Sequence, residues 1–182
     1  MKLRMFLAVC LLAFSLTTAD AKSRDPIRFA EGQTIEQQIV NAIARRALAK
    51  AGFKSDVFPL ERESLLQGLI DGTVHAHPAV LVAHHPSLGT AIEEKAVRSL
   101  GGLARNAADE DILKLVRPGM KRKWPDAQKL LKRMILSPAQ LMAVKDKIDA
   151  GSTVEEAVQI WWRSNARVWK PWIAASKNWM KP

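Results

Sequence analysis

Residues 27–52, IRFAEGQTIEQQIVNAIARRALAKAG, decide the fold. A short apolar run, 27–30, is followed by Thr34 with Gln37 three residues later, the spacing of a capping box at a helix start. From Ile35 onward apolar residues recur at spacings of three and four, which is typical of a helix with one buried face, until Gly52 ends the pattern. The stretch therefore predicts a strand, an amphipathic helix and a glycine stop.

The same alternation of strand and helix continues along the chain. The predicted strands after the first are 55–58, 74–82, 97–103 and 111–116, and the predicted helices are 61–70 and 87–95. Strands that alternate with helices favour a largely parallel sheet with helices on both faces. The fold class is therefore α/β.

After Pro118 the pattern becomes entirely helical. Predicted helices cover 124–134 and 139–148, the latter opened by a Ser137 capping box; Ser152 with Glu155 opens another, and Pro171 interrupts the helical pattern near the C-terminus. Five of the six tryptophans lie in the last 22 residues, at positions 161, 162, 169, 172 and 179. At helical spacing such residues favour packing of a helical layer onto the sheet over stacking on a ligand.

The first 21 residues are typical of a secretory signal peptide. Lys2 and Arg4 precede a twelve-residue apolar run, too short to span a bilayer, and Ala19 and Ala21 fit a cleavage site. The predicted mature chain, 22–182, has a net charge of +9 and forms one domain. The single cysteine, Cys10, falls in the removed segment, so the mature chain has no disulfide and no cysteine metal site.

Several function classes lose their usual signatures. The sequence has no dinucleotide-binding glycine motif, no phosphate-binding loop, no HExxH zinc motif and no nucleophile elbow. We therefore expect no enzyme and no cofactor. The basic residues are interleaved with acidic ones over several helices, a pattern typical of a solvated face, so we expect no nucleic-acid partner.

All four histidines lie within eleven residues, at 75, 77, 84 and 85. On a strand His75 and His77 would point to one face, and two such imidazoles could begin a zinc, copper or nickel site. The alternative is a polar strand end with solvent-facing histidines. The segment has no carboxylate or cysteine to complete a site, so no metal is assigned.

Two segments resemble the substrate-binding proteins of ABC importers for glycine betaine, choline and related quaternary amines. The first is 27–103, with LLQGLIDG at 65–72 leading into the third strand. The second carries WPDAQKLL at 124–131, then IWWRSN at 160–165 and VWKPWI at 168–173.

The resemblance implies one lobe of a type II periplasmic-binding-protein-like fold. Family members have two lobes, the chain leaving the first lobe to build the second before it returns. Here about seven residues, 104–110, separate segment 27–103 from the return strand and C-terminal helices of 111–182, so we expect the second lobe to be missing.

The resemblance also implies a function. We expect a non-enzymatic, periplasmic or otherwise secreted solute-binding component, with a quaternary amine or other small osmolyte as ligand and the membrane permease of an ABC importer as partner. Pairing of two copies in place of the lost lobe is left open. The alternative function is a histidine-based metal-binding or accessory module.

Candidate ligand contacts are placed at the carboxyl edge of the sheet, where ligands of open α/β sheets bind. They are Glu31, Gln33, Thr34, His75 and His77. The family's aromatic cage is absent from the corresponding loops, so the resemblance supports the fold and the transport lineage better than it supports betaine binding by such a cage.

Overall fold

The computed structural model describes residues 25–105 and 111–176. The strands are β1 (Ile27–Ala30), β2 (Ser55–Phe58), β3 (Ala76–Leu81), β4 (Arg98–Arg105) and β5 (Asp111–Val116). The helices are α1 (Ile35–Lys50), α2 (Leu65–Asp71), α3 (Leu88–Glu93), α4 (Met120–Lys123), α5 (Pro125–Arg133), α6 (Pro138–Asp149), α7 (Val154–Ser164) and α8 (Ala166–Ala174), with short 3-10 turns at Arg62–Ser64 and Val82–His84. The predicted signal peptide, Cys10 and Trp179 lie outside the described residues.

The strands form one mixed sheet in the order β2-β1-β3-β5-β4. β1 runs parallel to β2 and β3, whereas β5 runs antiparallel to both β3 and β4. Four of the five strands therefore run in one direction, and β5 alone is reversed, which makes the sheet mixed. Only five residues connect β4 to β5, which is enough for an antiparallel neighbour and too few for the crossover that a parallel one needs.

Helices cover both faces of the sheet, as the α/β prediction required. The larger core lies on the face covered by α1 and the C-terminal helices α5 to α8. A smaller core on the other face combines α2 and α3 with side chains such as Ala30, Val80 and Leu115. The α/β fold class is therefore confirmed.

The helix starts confirm most of the local predictions. Thr34 and Ser137 form complete capping boxes with Gln37 and Gln140. The third box lies one residue later than expected, because Thr153, and not Ser152, has the extended backbone of an N-cap and pairs with Glu156.

Pro171 lies inside a continuous helix, whereas the sequence predicted an interruption there. It lies inside α8, three residues before the end of that helix, with buried Trp169 and Trp172 on either side. One missing amide is tolerated because the packing of the flanking tryptophans holds the segment against the core.

The C-terminal tryptophans form the predicted packing layer. Trp162 and Trp169 stack with ring centroids 4.4 Å apart, and the Trp169 indole N–H donates to the Trp162 carbonyl oxygen at 2.8 Å. Trp161 stacks on Trp172 at 6.4 Å, and all four side chains are buried. In the part of the chain that the structure describes, no helix is long and apolar enough to cross a bilayer.

Candidate functional site

The two edges of the sheet differ in what they carry. The carboxyl edge is where β1, β2 and β3 end. Residues 31–34 follow β1 there, and residues 82–85 follow β3. At the amino edge these three strands begin and β5 ends, because β5 is antiparallel to β3. Open α/β sheets bind ligands outside the carboxyl ends of their strands, so the carboxyl edge is where a ligand is expected first.

Gln33 and Thr34 build the loop after β1. The Thr34 hydroxyl oxygen accepts from the Gln37 amide at 3.3 Å, and the Gln37 side chain accepts from the Gln33 amide at 2.7 Å. The Gln33 side chain donates to the Leu60 carbonyl oxygen at 2.9 Å, which ties this loop to the one after β2. Both side chains are therefore engaged within the protein.

Glu31 lines a cleft of about 260 Å³ beside this loop. The cleft lies between the end of β1, helix α1, strand β2 and the start of α7. Its walls are formed by Glu31, Gly32, Gln38, Asn41, Ala42, Arg45, Val57, Val154 and Glu155. Glu31 itself is exposed, and its amide donates to the Phe58 carbonyl oxygen at 2.9 Å.

Two polar atoms in the walls of this cleft are buried without a hydrogen-bond partner. Asn41 is 4% exposed; its amide nitrogen donates to the Ala30 carbonyl oxygen at 2.8 Å, but Oδ1 is unpartnered. Nε of Arg45 is also unpartnered. Both atoms have almost no contact with solvent, so the described fold leaves one acceptor and one donor unsatisfied beside this cleft.

A second cleft, of about 570 Å³, adjoins the first along α1 and the edge strand β2. The two share Ala42, Arg45 and Glu155, and the larger one continues past Phe53 to Asp56. Arg45 thus stands between them, with the carboxylate groups of Glu31 and Glu155 among its surroundings. The two adjoining clefts are therefore lined by both positively and negatively charged side chains.

His75 is not at the carboxyl edge, where it was predicted. β3 begins at Ala76, which pairs with Phe29, so His75 precedes the strand and lies at the amino edge beside Arg28. Its amide donates to the Arg28 carbonyl oxygen at 2.7 Å, and its Nδ1 accepts from the Arg28 amide at 3.0 Å. The error came from reading 74–82 as one strand.

His77 is also far from the predicted edge, near the start of β3. All six residues of β3 are buried, because the strand is flanked by β1 and β5 and covered on both faces. The His77 Nδ1 accepts from the Ala79 amide at 3.2 Å. The alternative prediction, a polar strand end with solvent-facing histidines, was therefore wrong for His75 and His77.

Burial keeps both imidazoles neutral. Desolvation, with the charges of Arg28, Arg117 and Lys123, lowers the pKa of His75 to about 4. Desolvation lowers the pKa of His77 to about 3. Across residues 25–105 and 111–176, no cluster of three or more histidine, cysteine or acidic side chains is arranged to hold a metal.

Sequence reasoning missed Asn41 and Arg45. They are four residues apart on α1 and so lie on one face of the helix, directly after the capped loop that carries Glu31. A buried asparagine next to an apolar stripe was the available signal. The residues that complete the cleft, Val154 and Glu155, come from α7, more than a hundred residues away in sequence.

Residues 105–164 match the family described as the substrate binding domain of the ABC-type glycine betaine transport system. This segment contains β5, α4 to α7, the motif at 124–131 and all but the last residue of the motif at 160–165, while the motif at 168–173 lies just beyond it. The predicted family resemblance is confirmed.

Solved structures with the same fold include three solute-binding proteins. The lactococcal OpuAC protein in complex with glycine betaine has a TM-score of 0.70 at 13% identity, covering 82% of this chain and 100% of that one. A choline-binding protein of an ABC transporter, in complex with choline, has a TM-score of 0.77 at 12% identity, covering 84% and 93%. The glycine betaine/L-proline-binding protein ProX of Borrelia burgdorferi has a TM-score of 0.67 at 9% identity, covering 84% and 100%.

Proposed function

We propose that this protein is the extracytoplasmic solute-binding component of an ABC importer for quaternary amines, and that it is not an enzyme. The observation that carries this function is the match of residues 105–164 to the glycine betaine substrate-binding family. The shared fold of glycine betaine- and choline-binding proteins supports it. Its working partner is then the membrane permease of that importer.

The ligand lies in the cleft between Glu31 and Arg45. Glycine betaine is a zwitterion, so it needs a cation and an anion on the protein at opposite ends of one site. The Arg45 guanidinium, which lines the cleft, meets the ligand carboxylate. The carboxylates of Glu31 and Glu155 face the quaternary ammonium, which offers no hydrogen-bond donor and is held by charge and contact alone.

Gln33 and Thr34 act as positioning residues in this site. Their hydrogen bonds fix the loop between β1 and α1, and that loop sets the position of Glu31. His75 and His77 have no part in the proposed cleft, because they are buried near the starts of the strands.

We further propose that residues 1–21 are removed on export and that 22–182 act as one lobe. β4 and β5 pair directly up to Arg105 and Asp111, so no second lobe is inserted between them. A ligand at the carboxyl edge would then be open on one side, and a second copy of the chain is suited to cover it. Sedimentation with and without glycine betaine tests this, with a ligand-dependent dimer expected and a monomer under both conditions contradicting it.

Isothermal titration calorimetry with glycine betaine and choline tests the site. We expect saturable binding by the wild-type protein and an affinity loss of about tenfold or more in E31Q, which removes one carboxylate. E94Q makes the same change on exposed Glu94 at the end of α3 and should bind as wild type. Absence of saturable binding by the wild type, or equal losses in the two variants, would overturn the proposal.

A further inference from the structure

The amino edge of the sheet holds two arginines on either side of His75. Arg28 on β1 and Arg117 after β5 flank the residue that precedes β3, between the two strands. The Arg117 amide donates to the His75 carbonyl oxygen at 3.0 Å, and His75 exchanges two hydrogen bonds with the Arg28 main chain. The backbones of both arginines are therefore fixed by one residue.

Their side chains converge on Gly72, which ends α2. Arg28 Nη2 donates to the Gly72 carbonyl oxygen at 2.6 Å. The Arg117 guanidinium occupies the space that a side chain at Gly72 would fill, since a Cβ there would lie 2.6 Å from Cζ. Gly119 leaves room on the other side, where a Cβ would be 3.8 Å from Arg117 Nε. Two like charges are thus held next to Gly72 at the end of α2.

The described surroundings neutralise these charges only in part. The Thr73 hydrogen bonds and, less strongly, the charge of Arg117 lower the pKa of the exposed Asp71 carboxyl, so Arg117 has one acidic neighbour. Nε of Arg28 and Nε of Arg117 are both buried without a hydrogen-bond partner, and neither arginine forms an ion pair with a described carboxylate. Asp25 is paired with Lys123 at 2.6 Å, and Asp71 accepts from the Thr73 amide at 2.8 Å. Next to Arg117, α4 adds exposed Lys121, Arg122 and Lys123.

We propose that Arg28 and Arg117 form a binding site for a phosphate group at the amino edge of the sheet. Planar guanidinium groups match the geometry of phosphate oxygens and bind them with charge-assisted hydrogen bonds. A phosphate would accept from the terminal guanidinium nitrogens, because the Nε atoms are fully buried, and it would relieve the repulsion between the two cations. The site lies at the opposite edge of the sheet from the solute cleft and does not depend on the proposed function.

The phosphate can come from a free phosphate ester or from the headgroup of an anionic phospholipid. Titration with inorganic phosphate and with glycerol 3-phosphate measures the binding of a free phosphate group. Co-sedimentation with vesicles of phosphatidylglycerol and phosphatidylcholine, against vesicles of phosphatidylcholine alone, measures the second. Binding of the small anions without vesicle binding assigns a free ester, and binding of the mixed vesicles assigns the headgroup.

The decisive variant is R117Q, which removes one guanidinium and leaves the main-chain bonds to His75 in place. We expect it to weaken phosphate binding by about tenfold or more, whereas R163Q, the same change on exposed Arg163 of α7, leaves it unchanged. R117K keeps the positive charge but loses the planar guanidinium with its paired N–H donors, so it should bind phosphate more weakly than wild type. With this second variant, a folding defect of R117Q alone does not decide the result. No saturable binding of phosphate or of mixed vesicles by the wild type, or equal weakening in R117Q and R163Q, would overturn the site.

Discussion

The two edges of the sheet differ in how their histidines are placed. At the amino edge, His75 is buried and makes three hydrogen bonds with the main chains of its neighbours. At the carboxyl edge, His84 is exposed, and the cleft near the end of β1 keeps free polar atoms on Asn41 and Arg45. A histidine in a sequence therefore says little by itself, because its place relative to the strand ends decides whether it supports the fold or faces solvent.

The largest effect should come from removing His75. H75A removes the acceptor for the Arg28 amide and the imidazole ring that packs 4.6 Å from Trp124, so we expect a loss of about 3 kcal/mol in the free energy of unfolding. H84A is the control at the other end of β3, and it should change stability by less than about 0.5 kcal/mol. Urea denaturation of both variants makes the comparison, which fails if their losses are equal.

Acid should destabilise the protein through its buried histidines. The folded-state pKa values of His75 and His77, about 4 and about 3, lie below the value of 6.5 for a free imidazole. As the pH falls below 6.5, these histidines bind protons in the unfolded chain but not in the folded one. The free energy of unfolding therefore decreases until the pH reaches the folded-state pKa values. Each histidine contributes about 1.4 kcal/mol per pH unit.

H77N isolates one of these contributions. Asparagine can still accept from the Ala79 amide but does not titrate. Between about pH 6 and pH 5 the slope of unfolding free energy against pH should fall by about 1.4 kcal/mol per unit. An unchanged slope in denaturation series at several pH values would show that His77 is not buried as a neutral imidazole.

Two glycines with positive φ provide a smaller test of the amino edge. Gly72 has φ 84° and faces the Arg117 guanidinium, whereas Gly101 on β4 has φ 90° and open space around it. G101A should cost only the backbone strain, about 1 kcal/mol, and G72A about 1 kcal/mol more because Arg117 must move. Thermal unfolding of the two variants measures the difference, and equal costs would place Arg117 elsewhere.

Local features of the fold were predictable from the sequence. The capping boxes at Thr34 and Ser137 and the bounds of β1 and β2 depend on residues a few positions apart, and the structure shows them as expected. The position of β5 between β3 and β4 was not predictable in this way. It is set by pairing between distant segments, which no spacing within either segment records.

The proposed solute site was predictable from the sequence only where its residues are neighbours in the chain. Glu31 comes directly after β1, and it was predicted because ligands of open α/β sheets bind outside the carboxyl ends of the strands. Arg45 needed the knowledge that β2 and the start of α7 pack beside α1. The burial of His75 likewise depends on Trp124, which lies 49 positions later in the chain.

Calorimetric titration of glycine betaine into R45Q and R117Q, side by side, tests the division of roles between the two edges most directly. R45Q removes the proposed partner of the ligand carboxylate, so its affinity should fall by about tenfold or more, while R117Q should bind as wild type. Loss of betaine binding in R117Q with R45Q unaffected would contradict the assignment of the solute to the carboxyl edge.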